Sequence, residues 1–116
     1  FRRVLFRSVI IVNSEQMGEG DDLLGDKLMG ACLKKFWSKA ELPKAICFYN
    51  GGVKLLCSQS KVLDVLDGLE QAGVELLACG TCLDHFAMTN QMKLGHISNM
   101  DEIVNYLIGA DKVITL

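Results

Sequence analysis

The chain has 116 residues, half of them hydrophobic, and 12 Lys and Arg against 14 Asp and Glu give a formal net charge of −2. That length supports one domain with a substantial core, and so balanced a charge argues against a nucleic-acid surface or a basic partner. No apolar run is long enough to span a bilayer.

The first eight residues, FRRVLFRS, are basic and lack an initiating Met. The apolar run after them is too short for the core of a signal peptide. They match a one-frame translation of a common short-read sequencing adapter, so residues 1–8 are expected to be a non-native leader. The single domain is then 9–116, with natural sequence missing upstream.

SVIIVN (8–13) is β-branched and apolar and predicts a buried strand. A polar loop with two glycines follows. A helix is expected from about 21 to 39, opened by Asp21 and Asp22, whose carboxylates suit unpaired N–H groups. Its buried face is expected to be Leu24, Leu28, Cys32 and Phe36, flanked by Leu33 and Trp37. Pro43 is expected in the linker that ends it. KAICFYN (44–50) predicts a second strand, and VKLLC (53–57) is either a helical turn or extended.

A second helix is expected from Ser58 or Ser60, burying Val62, Leu63, Leu66 and Leu69, with Gly73 as its left-handed end. VELLA (74–78) predicts a third strand that runs into CGTC (79–82). LDHFAM (83–88) predicts a short helix or turn, and 93–98 a short fourth strand. Ser98 or Asn99 is expected to cap a last helix, and Asn99 with Glu102 resembles a capping box. Its buried face is expected at Met100, Ile103, Val104 and Leu107. DKVITL (111–116) predicts the final strand. Apolar strands alternating with amphipathic helices imply an α/β domain: three layers, α/β/α, around a mostly parallel sheet of about five strands.

In such sheets ligands bind outside the carboxyl ends of the strands. Three loops leave those ends: 13–20, 50–57 and 79–82. They hold most of the glycines and reactive side chains, so one site is expected there. Cys79 and Cys82 are its leading candidates. If a helical turn follows Cys79, both thiols lie near a helix N-terminus, which favours the nucleophilic thiolate. Gly80 would let the backbone approach a substrate, with Thr81 beside it.

Gly51 and Gly52, after Asn50, could form an anion nest, with Lys54 adding charge. Asn13, Ser14 and Glu15 could line the pocket. Cys57 could face the CGTC turn or pack inward. His85 could tune a thiolate, and His96 has no evident role. Cys32 and Cys47 fall on apolar patterns and are expected in the core.

The pair could move electrons, hold a metal, carry sulfur or simply pack. A metal needs further ligands, for which Cys57, His85 and His96 are the candidates, but there is no second CxxC and no H-x3-H. A thioredoxin-like role is weakened because Ala78 precedes the pair and Gly-Thr fills it. Five cysteines in no disulfide framework favour a reducing cytoplasm.

VIIVNSEQMGEGDDLLGDKLM, LPKAICFYNGGVKLLC, VELLACGTCLDHF and ISNMDEIVNYLIGADKVI together resemble the C-terminal domain of the YedF proteins, in the DsrE/DsrF-like superfamily. These are described as sulfurtransferase-like selenium metabolism proteins. The resemblance runs from Val9 to Leu116. It implies a persulfide relay without a cofactor, a homo-oligomer, and sulfur donor and acceptor proteins such as a TusA-like domain, which YedF proteins carry upstream. By position, the resemblance places the relay cysteine at Cys79 first and at Cys82 second; Cys82 could then resolve a Cys79 persulfide, or the pair could close as a disulfide. Many relatives have one cysteine there, so the second departs from their pattern. A non-catalytic partner- or anion-binding module, and a CxxC thiol switch or metal site, remain the alternatives.

Overall fold

The computed structural model describes residues 3–116, with side chains described from Ser8 onward. Of the expected leader, residues 1 and 2 lie outside the described residues. The five strands are β1 (Arg3–Val12), β2 (Glu41–Phe48), β3 (Glu75–Cys79), β4 (His96–Ser98) and β5 (Lys112–Thr115). The helices are α1 (Asp22–Ser38), α2 (Leu63–Gln71), α3 (Gly80–His85) and α4 (Met100–Gly109), with 3-10 turns at Asn50–Leu56 and Thr89–Gln91.

The strands form one sheet in the order β4-β3-β2-β1-β5, and every pairing is parallel. Successive strands step from β1 to β2 to β3 to β4, then α4 carries the chain back across the sheet to β5. With right-handed crossovers, α1 and α2 cover one face and α4 the other, the three-layer α/β/α arrangement that the apolar strands imply. β1 begins at Arg3 rather than at residue 8, and its register with β2 shifts between Leu5 and Val9.

The core forms where the strands are continuously apolar. Val9 to Val12, Ala45 to Phe48 and Leu76 to Cys79 are all buried. Such runs bury both faces at once, as a sheet covered on two sides requires. Cys47 is fully buried, as expected, and burial with the nearby Glu102 carboxylate pushes its thiol up to about 11. Gly73 takes φ +103 after α2, the left-handed exit that only glycine adopts without strain.

Pro43 lies inside β2, not in a linker. It is tolerated because β2 pairs there with β1 alone, its pairing with β3 beginning at Ala45. α1 is rotated from its expected orientation: Gly25, Met29 and Leu33 are buried, while Leu24 and Leu28 are 54 % and 44 % exposed. Both stripes repeat every four residues, so periodicity alone could not choose between them. The loop chooses. A Cβ on Gly25 would stand 2.6 Å from the Gln16 Cβ, so only glycine lets residues 13–20 lie against the helix. The same rotation leaves Cys32 half-buried rather than in the core.

α4 is rotated as well. Asn99 caps it, its side chain accepting from the Glu102 N–H at 2.8 Å. Ile103 is buried, but Met100, Val104 and Ile108 face outward in a stripe at four-residue spacing.

Candidate functional site

Cys79 is the last residue of β3, held between the ends of β2 and β4, where it pairs in register with Ser98. α3 starts at the next residue. Three-residue spacing around a helix start brings Cys79 and Cys82 to one side, close enough for the Cys79 thiol to act on the Cys82 pKa. Both are free. Cys79 is only 3 % exposed, whereas Cys82 is half-buried.

The second glycine loop reaches Cys82 through its backbone. The Asn50 N–H donates to the Cys82 Sγ at 3.0 Å. Asn50 holds φ +50, a left-handed conformation that Asn tolerates better than most residues. The turn is seated on β1: the Tyr49 N–H donates to the Val12 carbonyl at 3.2 Å, and the Gly52 N–H to the Tyr49 carbonyl at 3.0 Å. A Cβ on Gly52 would overlap the Val12 carbonyl oxygen and stand 2.7 Å from its carbon. Gly52 is therefore what lets the turn settle against β1 and aim Asn50 at the thiol.

The surroundings of Cys82 raise its pKa. Burial raises its pKa, the Asn50 hydrogen bond opposes that, and the Cys79 thiol adds to the rise. This corrects the expectation that a helix N-terminus would ionise it. α3 has only six residues, and desolvation outweighs the one N–H aimed at the sulfur.

The other expected site residues separate into neighbours of the pair and structural residues. Asn13 follows β1 against the same turn, its backbone nitrogen 3.2 Å from where a Gly52 Cβ would stand. Gly51 faces the Ser14 backbone at ordinary contact. Ser14 accepts from the Gln16 N–H at 3.1 Å, ordering its own loop. Lys54 places its Nζ 4.3 Å from the centre of the Phe86 ring, a cation–π contact at the end of α3. Thr81 is exposed on α3, and His85 is exposed, edge-on to Phe86.

Two expectations are corrected. Cys57 is fully buried; its thiol donates to the Val53 carbonyl at 3.5 Å and the Met88 carbonyl at 3.9 Å, and burial raises its pKa. It ties the Asn50–Leu56 turn to the segment after α3 and offers nothing to an anion. The open side of Gly80 faces protein, since a Cβ there would meet the Ile97 side chain and the Ser98 carbonyl, both at 3.1 Å.

A polar cluster beside the pair was not anticipated. The His96 imidazole lies 3.5 Å from Glu102 and 3.9 Å from Glu75, and the buried Ser98 hydroxyl donates to Glu102. The Ser98 and His96 hydrogen bonds hold the Glu102 carboxyl below its ordinary value. Only the pairing of β3 with β4 brings these residues together, so the sequence carried no signal for His96. Among the described residues no group of three or more His, Cys, Asp or Glu side chains converges as a metal site. No helix among them is long and apolar enough to cross a membrane.

A parallel three-layer domain with a CxxC turn at the carboxyl end of an inner strand defines a class of small α/β thiol proteins. Within it, this chain belongs to the DsrE/DsrF-like family, whose profile matches residues 27–116. That family is associated with sulfur relay. Solved structures share the fold. The ychN protein from E. coli is 18 % identical, with a TM-score of 0.67 over 95 % of this chain and 98 % of that one. MTH1491 from Methanobacterium thermoautotrophicum, a protein of unknown function, is 19 % identical with a TM-score of 0.69 over the same shares. BT1422 from Bacteroides thetaiotaomicron, also of unknown function, is 15 % identical with a TM-score of 0.58 over 94 % of each chain. No curated protein matches this chain at a significant level.

Proposed function

We propose that this domain is a YedF-type sulfur relay module that carries a persulfide on the CGTC turn, with sulfur or selenium as its cargo. The observation that carries the reading is the Asn50 N–H on the Cys82 sulfur at 3.0 Å, in a CxxC pair of free thiols that spans a strand end and a helix start. A carrier needs a thiol that can be reached, a hydrogen bond for the terminal sulfur's charge, and a second thiol to release it. No cofactor enters the chemistry. The Gly51–Gly52 turn, with Asn13, Lys54 and Thr81 around it, forms the surroundings of the cargo atom.

The module works in the cytoplasm with donor and acceptor proteins, a TusA-like domain among them, and as a homo-oligomer. The exposed stripe of Met100, Val104 and Ile108 on α4 supports such protein contacts. The test is intact-mass analysis of the reduced protein after treatment with a cysteine desulfurase and cysteine. A labile adduct of one sulfur atom, lost when both Cys79 and Cys82 are changed to Ser, is the expected result. No adduct with a working donor overturns the reading. A thiol switch is the second reading, favoured by the same pair of free CxxC thiols; it predicts loss of two hydrogens on mild oxidation and no sulfur adduct.

A further inference from the structure

We propose that Cys82 accepts and holds the sulfur, and that Cys79 beneath it is the resolving thiol. This rests on the relay reading and assigns its two cysteines from accessibility and hydrogen bonding. The family resemblance puts Cys79 first as the carrier and Cys82 second.

A protein-borne persulfide must bring its outer sulfur into line with the attacking thiolate. Cys79 is 3 % exposed at the end of an inner strand, where β4 pairs beside it. A donor cysteine on another protein cannot reach it without opening the site. Cys82 lies one turn further out, half-buried, on the short α3. Its sulfur, not that of Cys79, takes the Asn50 N–H at 3.0 Å. The strained Asn50 and the side-chain-free Gly52 hold that donor in place. A backbone N–H stabilises an anion more than a neutral thiol, so it favours the charged forms that occur during transfer.

The steps balance as follows. The Cys82 thiolate, its proton lost to solvent, attacks the outer sulfur of the donor persulfide. The donor S–S bond breaks, and its electron pair leaves on the donor cysteine as thiolate. Cys82 now carries –S–S⁻. An acceptor thiolate can take the outer sulfur by the same reaction, returning Cys82 as thiolate. Alternatively, Cys79 attacks the Cys82 Sγ as its thiol proton passes to the outer sulfur; the Cys82 Sγ–S bond breaks, a Cys79–Cys82 disulfide forms, and hydrosulfide leaves with the electron pair. In that exit the two thiols are oxidised by two electrons and the carried sulfur is reduced to sulfide. An external dithiol reductant then restores the pair.

The experiment compares the reduced wild type with Cys79→Ser and Cys82→Ser, each treated with a cysteine desulfurase and cysteine, then alkylated and mapped by peptide mass. Cys79→Ser is expected to keep the adduct on Cys82 and hold it longer than wild type, because the resolving thiol is gone. Cys82→Ser is expected to lose uptake roughly tenfold or more. Uptake by Cys82→Ser at the wild-type rate, with the adduct on Cys79, overturns the assignment and leaves the relay standing. No adduct on any of the three overturns the relay and the assignment with it. The positioning role of Asn50 is read separately, without a sulfur donor, from the pH midpoint of Cys82 alkylation in the Cys79→Ser background. Adding Gly52→Ala, which lifts the turn from β1, is expected to move that midpoint upward. An unchanged midpoint in the folded variant means the Asn50 hydrogen bond does not act on Cys82.

Discussion

Gly52→Ala and Gly51→Ala are adjacent, chemically identical changes with opposite expected outcomes. At Gly52 the new methyl would overlap the Val12 carbonyl oxygen and lie 2.7 Å from its carbon. Overpacking typically costs about 1–3 kcal/mol where neighbouring side chains can move. Here the obstacle is the backbone of β1, an inner strand between β2 and β5, so the cost is expected at about 3 kcal/mol. For a chain of this size about 1 kcal/mol shifts Tm by roughly 4 °C, which gives a loss of about 12 °C. At Gly51 the nearest atom is the Ser14 Cα at 3.8 Å, ordinary contact. Gly51→Ala should therefore stay within about 0.5 kcal/mol of wild type. Thermal unfolding followed by far-ultraviolet circular dichroism measures both. Equal shifts in the two variants, or a Gly52→Ala Tm within about 2 °C of wild type, would refute the claim that Gly52 seats the turn on β1.

Leu33→Ala should cost about 2–5 kcal/mol in urea unfolding, while Leu28→Ala should stay within about 0.5 kcal/mol, because Leu33 is fully buried and Leu28 is 44 % exposed; the reverse order would mean that α1 packs on its other stripe. In the folded protein near pH 8, iodoacetamide should label Cys82 while Cys47 and Cys57 stay unmodified until denaturant is added, since both are buried thiols with raised pKa values; labelling of Cys47 at the unfolded-chain rate would contradict its burial. The Glu102 carboxyl is held below its ordinary value of 4.5 by Ser98 and His96. Its contribution to stability is therefore full above about that value and is lost as pH falls through the lower folded-state value. Glu102→Gln should flatten the acid limb of the stability curve below pH 4.5, and an unchanged limb would mean the Ser98 and His96 contacts carry no free energy.

The sequence by itself settled the elements and the class of fold. Four-residue runs such as VIIV cannot half-bury, so they required a sheet covered on both faces, and the helices between them required parallel strands. CGTC was legible as a site because it ends the third such run, where parallel sheets bind ligands. Asn99 and Gly73 announced a helix start and a helix end through local backbone chemistry, and both are found there.

Contacts between distant segments set the rest. Leu24–Leu28 and Met29–Leu33 share one period, and the loop lying against Gly25 selected the second stripe. The meeting of His96 with Glu75 and Glu102 depends on the register of β4 against β3. The difference between Cys79 and Cys82 is likewise invisible in the motif. It arises because one thiol closes an inner strand while the other lies one turn out, where residue 50 delivers an N–H across a separation of 32 residues. Periodicity reports which residues must be buried together, but burial and hydrogen bonding at one atom depend on which segments the folded chain brings beside it.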